Sequence, residues 1–84
     1  PMAPIRRQRI LLFGPEALAL GRDAVEVDLP THATAADVRA ALAAVHPALA
    51  VPHLRLAVNH EFAAPDRPIG AGDEVAAIGL VSGG

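Results

Sequence analysis

The 84-residue chain has no cysteine, no lysine, no tryptophan and no tyrosine. Without cysteine there is no disulfide, no thiolate nucleophile and no cysteine metal site. That absence fits a reducing compartment, and a cytoplasmic location is expected. Without lysine, all seven positive charges are arginine. The chain therefore cannot accept another protein on a lysine side chain, although its own carboxyl end could still enter an amide bond. Phe13 and Phe62 are the only aromatic residues, and the formal net charge is −2. No basic cluster is interleaved with aromatics, so no nucleic-acid partner is expected. No apolar run approaches the length of a membrane span, and no signal-peptide pattern is visible.

What is present is apolar. Hydrophobic residues make up 52% of the chain, which is high for a small soluble domain and points to a partner surface. The length corresponds to one domain, residues 1–84, burying about 60–65% of its unfolded surface.

Arg9-Ile10-Leu11-Leu12-Phe13 reads as a first strand, stopped by the turn signal Gly14-Pro15. Glu16 to Arg22 reads as either a loop or a short helical turn ending at Gly21. Ala24 to Leu29 alternates, with Val25, Val27 and Leu29 on one face and Glu26 and Asp28 on the other. That is a half-buried strand ended by Pro30, and it should pair antiparallel with the first. Thr34 and Asp37 have capping-box spacing. Val38, Leu42 and Val45 then follow at i, i+4 and i+7, predicting an amphipathic helix that stops near His46, before Pro47. Leu54, Leu56 and Val58 mark a third strand, Asn59 a turn, and Glu61-Phe62 a short fourth strand. Ile69 reads as a lone apolar anchor beneath a loop. Gly70 to Asp73 reads as a turn, and Glu74 to Leu80 as the last strand.

This order predicts an α+β fold with one main helix across one mixed sheet. The β-grasp, or ubiquitin-like, arrangement has this order and sets the first and last strands parallel at the centre. Both of those strands are apolar on both faces: Ile10 and Leu12 but also Leu11 and Phe13; Val75 and Ala77 but also Ala76, Ile78 and Leu80. One helix covers one face, so an apolar patch should be left open for association.

The sequence given closes on Val81-Ser82-Gly83-Gly84. Two glycines leave a carboxylate unshielded and admit conformations closed to other residues. Fully extended, residues 81–84 reach at most about 14 Å. Such a segment suits a narrow channel in another protein, although a frayed terminus is the bland alternative.

Other chemistry is poorly supported. His32, His46, His53 and His60 lack zinc spacing, so no metal site is expected. Gly70-Ala71-Gly72 is not a phosphate loop, because no strand precedes it and no helix follows. Asp73 and Glu74 read either as partners for basic residues of another protein or as a solvated turn.

Four motifs carry a family resemblance: Ala57-Val58-Asn59, Asp66-Arg67-Pro68-Ile69, Gly72-Asp73-Glu74-Val75-Ala76 and Val81-Ser82-Gly83-Gly84. Together they resemble the ubiquitin-like sulfur carriers of the MoaD/ThiS superfamily, typified by the molybdopterin synthase small subunit, over essentially all of the chain from Arg9. One departure is that Gly79-Leu80 stand where that family usually has Pro-Pro, which should loosen the exit of the tail. The resemblance implies that an E1-like enzyme uses ATP to adenylate the Gly84 carboxylate. A sulfurtransferase donor then converts it to a thiocarboxylate. The carrier, with no bound cofactor and no catalysis of its own, delivers sulfur inside a heterotetramer with the molybdopterin synthase large subunit. On this reading Gly84 is the chemical centre and Gly83, Ser82 and Val81 guide it, while Leu80, Ile78 and Phe13 bind the partner. The alternatives are a carrier for thiazole or cysteine synthesis, a modifier joined to lysines of other proteins, and a plain interaction domain.

Overall fold

The computed structural model describes residues 4–80. The first strand, β1 (Ile5–Phe13), is followed by α1 (Pro15–Leu20), β2 (Ala24–Pro30), α2 (Ala35–Val45) and a 3₁₀ turn (Pro47–Leu49). Then come β3 (Leu54–Val58), β4 (Glu61–Phe62) and β5 (Val75–Gly79). The sheet order is β2-β1-β5-β3-β4. β1 and β5 run parallel at the centre, with Ile10 opposite Val75 and Phe13 opposite Ile78. All other pairings are antiparallel. This is the β-grasp arrangement.

β1 begins four residues earlier than the apolar run indicates. Ile5 to Gln8 alternate outward and inward, and they pair with Pro30 to Val27 of β2. Gln8 lies on the core side of the strand and is buried. Its side-chain amide donates to the carbonyls of Arg9 (3.0 Å) and Asp73 (3.4 Å), and its Oε1 accepts from Arg6 (2.5 Å). A buried amide satisfied in this way is tolerated in a core face.

The core lies between the sheet and α2. It contains Ile10 and Leu12 of β1, Val25, Val27 and Leu29 of β2, Val38 and Leu42 of α2, Leu54, Leu56 and Val58 of β3, and Val75 and Ala77 of β5. α2 starts on the expected capping box, with the Asp37 carboxylate accepting the Thr34 backbone N–H at 2.8 Å. Its last turn departs from expectation, because Val45 is exposed. Leu49 of the 3₁₀ turn is buried at that end instead. Ile69 is buried, and its N–H donates to Ala33 O at 2.9 Å, so it pins its loop as expected.

The hinge between β3 and β4 is also as read. Asn59 and His60 have positive φ, 52° and 71°. The Asn59 side chain donates to the Asp73 carboxylate at 2.9 Å and accepts the Glu74 N–H at 2.9 Å. Asp73 also accepts the Gly70 N–H at 2.7 Å and lies 3.6 Å from Arg67. These bonds, the Gly70 one foremost, hold its carboxyl below the ordinary value. Asp73 therefore ties its own turn to the bend between β3 and β4.

Candidate functional site

The parity of the central strands assigns each two-faced residue. Ile10, Leu12, Val75 and Ala77 point into the core, whereas Leu11, Phe13, Ala76 and Ile78 point to the face opposite α2. Leu80 has the same parity as Ile78 and is 40% exposed. β3 adds Arg55 and Ala57 to this face, and β4 adds Phe62, which pairs with Ala57.

At the middle of the face is a shallow depression of about 290 Å³. Ala57 and Ala76, directly paired, form its floor. Phe13, Phe62 and Ile78 form its walls, with His60 and Glu74 at the rim. Phe13 is 53% and Phe62 55% exposed, so two large aromatic surfaces meet water where nothing in the described chain covers them. The Arg55 guanidinium lies 4.4 Å from the centre of the Phe62 ring, a cation–π contact that holds one wall in place. Toward β2 the same face becomes charged, with Arg7 paired to Asp28 at 3.3 Å. An apolar socket with a charged flank is the profile of a protein-docking surface.

The face leads to the end of β5. Gly79 pairs with Leu54 and is buried, and the Leu80 N–H donates to His53 O at 3.3 Å. Gly79 is closely packed. A Cβ at this position would lie 1.8 Å from Glu16 Oε1, so the glycine admits close packing by α1. Gly14, with φ +105°, is crowded in turn: a Cβ on it would lie 2.5 Å from Gly79 O. α1 thus begins directly against the end of β5.

Glu16 Oε2 meets His53 Nε2 at 2.8 Å. That hydrogen bond is the main reason the Glu16 carboxyl titrates below its ordinary value. Neither residue stood out in the sequence, because 37 positions separate them. Only the Gly14-Pro15 turn signal marks the neighbourhood.

Of the sequence-predicted site residues, Phe13 and Ile78 line the same depression, and Leu80 is exposed just past the end of β5. Val81, Ser82, Gly83 and Gly84 lie outside the described residues. No group of three or more His, Asp or Glu among the described residues is placed to hold a metal ion. His60 instead faces Glu74 at 3.4 Å.

The model of the ThiS family matches residues 10–84, from the inward Ile10 of β1 through the terminal glycines. The chain belongs to the ThiS family. This member of the ThiS family is also similar to solved structures. It is 34% identical to SAMP1 from Haloferax volcanii, with 94% of this chain and 100% of that one covered and a TM-score of 0.79. A second crystal structure, named small archaeal modifier protein 1 of H. volcanii, is 32% identical, with 89% and 98% covered and a TM-score of 0.76. A Pyrococcus furiosus structure, provisionally named molybdopterin converting factor, subunit 1, shares the fold. It is 20% identical, with 89% and 98% covered and a TM-score of 0.77. None of the curated proteins matches the sequence. The ThiS-family chain thus has the ubiquitin-like sulfur-carrier fold of the MoaD/ThiS type.

Proposed function

We propose that this chain is a sulfur carrier whose Gly84 carboxylate is adenylated by an E1-like enzyme and converted to a thiocarboxylate. We further propose that it serves as the small subunit of molybdopterin synthase. One observation carries the carrier reading: the open apolar face around Phe13, Ile78 and Leu80 leads directly to the exit of the carboxyl segment. A partner gripping that face receives Val81 to Gly84 in a defined direction. A free carboxylate is a poor acyl donor, and adenylation supplies the leaving group that lets sulfur displace AMP. The two glycines place no Cβ in the path of the acyl carbon. The catalytic groups belong to the partners, and Gly84 is the substrate they act on. The motifs at Ala57–Asn59 and Val81–Gly84 favour the molybdopterin branch.

The test loads the carrier as its thiocarboxylate and mixes it with a molybdopterin synthase large subunit and the cyclic pterin precursor. Dithiolene should form, and a chain lacking Gly84 should give neither ATP–pyrophosphate exchange nor product. Normal exchange by the truncated chain sinks the carrier reading. Exchange without dithiolene sinks only the branch.

A second reading has its own observation. The solved structure at 32% identity is of a protein named small archaeal modifier protein 1. On that reading the adenylated Gly84 passes to lysines of other proteins. Recovery of this chain in amide linkage to target lysines, with no dithiolene formed, decides for it.

A further inference from the structure

The end of β5 is surrounded more closely than a strand end needs to be. The turn from β1 into α1 rests on the backbone of Gly79 through Gly14. One residue into α1, Glu16 lays its carboxylate over the Cα of Gly79. Its Oε1 is buried with no hydrogen-bond partner among the described residues, while Oε2 is bound to His53 at 2.8 Å. The backbone carbonyl of the same His53 accepts the Leu80 N–H at 3.3 Å. α1, the segment entering β3 and the last described residue are therefore tied into one closed link.

An unpartnered buried carboxylate oxygen works against stability, and each such atom calls for an explanation. The core does not require it, since α1 already packs through Ala17 and Leu20. What Glu16 does contact is the chain at the point where it leaves the sheet.

We propose that Glu16 and His53 are positioning residues, forming a clamp that fixes the course of the backbone at Leu80 so that the carboxyl segment meets its partner already aimed. This rests on the carrier reading above. Gly79, without a side chain, admits this carboxylate from α1 against the backbone. The half-exposed His53 imidazole is the part of the clamp that a docking partner touches.

The experiment compares the parent with Glu16→Ala, Glu16→Gln and His53→Gln. Two quantities are read: the ¹⁵N heteronuclear NOE of Leu80 in the free protein, and KM and kcat for ATP–pyrophosphate exchange with an E1-like activating enzyme. Glu16→Ala should lower the Leu80 NOE while amides of β1 to β3 keep theirs. It should raise KM about tenfold, the equivalent of one additional backbone residue to be ordered on docking, and leave kcat unchanged. Glu16→Gln retains the shape and an acceptor for His53, and should restore both readings. His53→Gln, changed at the surface, should fold normally and shift both readings in the direction of Glu16→Ala.

A Leu80 amide as ordered in Glu16→Ala and His53→Gln as in the parent overturns the clamp. So does an unchanged KM, or a Glu16→Gln protein that behaves like Glu16→Ala. If the parent itself is not activated by the enzyme, the carrier reading fails while the NOE still decides the clamp.

Discussion

Phe13 shows how much one register position decides. It follows Leu12 in an unbroken apolar run, yet Leu12 is 3% exposed and Phe13 is 53% exposed. Replacing each should therefore have opposite consequences. Phe13→Asp removes little from the fold, so the cost in stability should stay within about 0.5 kcal/mol. The same change puts a charge in the wall of the apolar depression. It should cost about 2 kcal/mol or more of affinity for a partner seated there, as should Leu80→Asp. Calorimetric titration of the variants against the activating enzyme or the synthase large subunit, with thermal melts alongside, reads both quantities. Unchanged affinity in both variants places the interface elsewhere. The sequence showed that both faces of this strand are apolar but not which residue faces which way. The inward parity follows from Ile10 and Leu12 joining Val38 and Leu42 of α2 in one buried cluster, and no local pattern states that.

Among the elements, those with strong internal periodicity were legible and those defined by distant partners were not. β2, β3 and α2 each show their period and their stop signal, and the structure has them within a residue or so. The polar half of β1 was missed because Arg6, Arg7 and Gln8 do not read as a strand. They become one only by pairing with β2. α1 stayed ambiguous, since six residues cannot hold a helix by propensity alone. It is held by Ala17 and Leu20 against the core and by Gly14 against Gly79, contacts invisible along the chain. α2 by contrast carries its own start, and Asp37→Ala should remove half of the capping box at a cost of about 1 kcal/mol. A denaturant melt shows this as a lowered midpoint with unchanged slope. No change in midpoint means that Asp37 is merely solvated.

At the scale of the whole molecule, two carboxylates tie together segments far apart in sequence, and both titrate below their ordinary values. Glu16, ordinarily near 4.5, is held down first by the hydrogen bond from His53. Asp73, ordinarily near 3.8, is held down first by the Gly70 N–H and then by Asn59. A carboxyl with a depressed folded-state pKa contributes stability that is fully present above its unfolded value. That contribution is lost as pH falls through the folded value. The melting temperature should therefore hold from neutrality to about pH 5 and fall below it. A Glu16→Gln, Asp73→Asn double variant should show a shallower acid decline. Parallel pH profiles for parent and variant would assign the acid sensitivity to other groups. The sheet order has a consequence of another kind, for synthesis. β5 follows β1 to β4 in the chain, yet it lies in the middle of the sheet, between β1 and β3. Until it arrives, the β1–β2 hairpin and the β3–β4 pair share no strand between them, and the core is open along its centre line. A chain interrupted before Val75 lacks both that central strand and everything after it. Such a chain cannot close the sheet between β1 and β3, so the open apolar face forms only once β5 has been made.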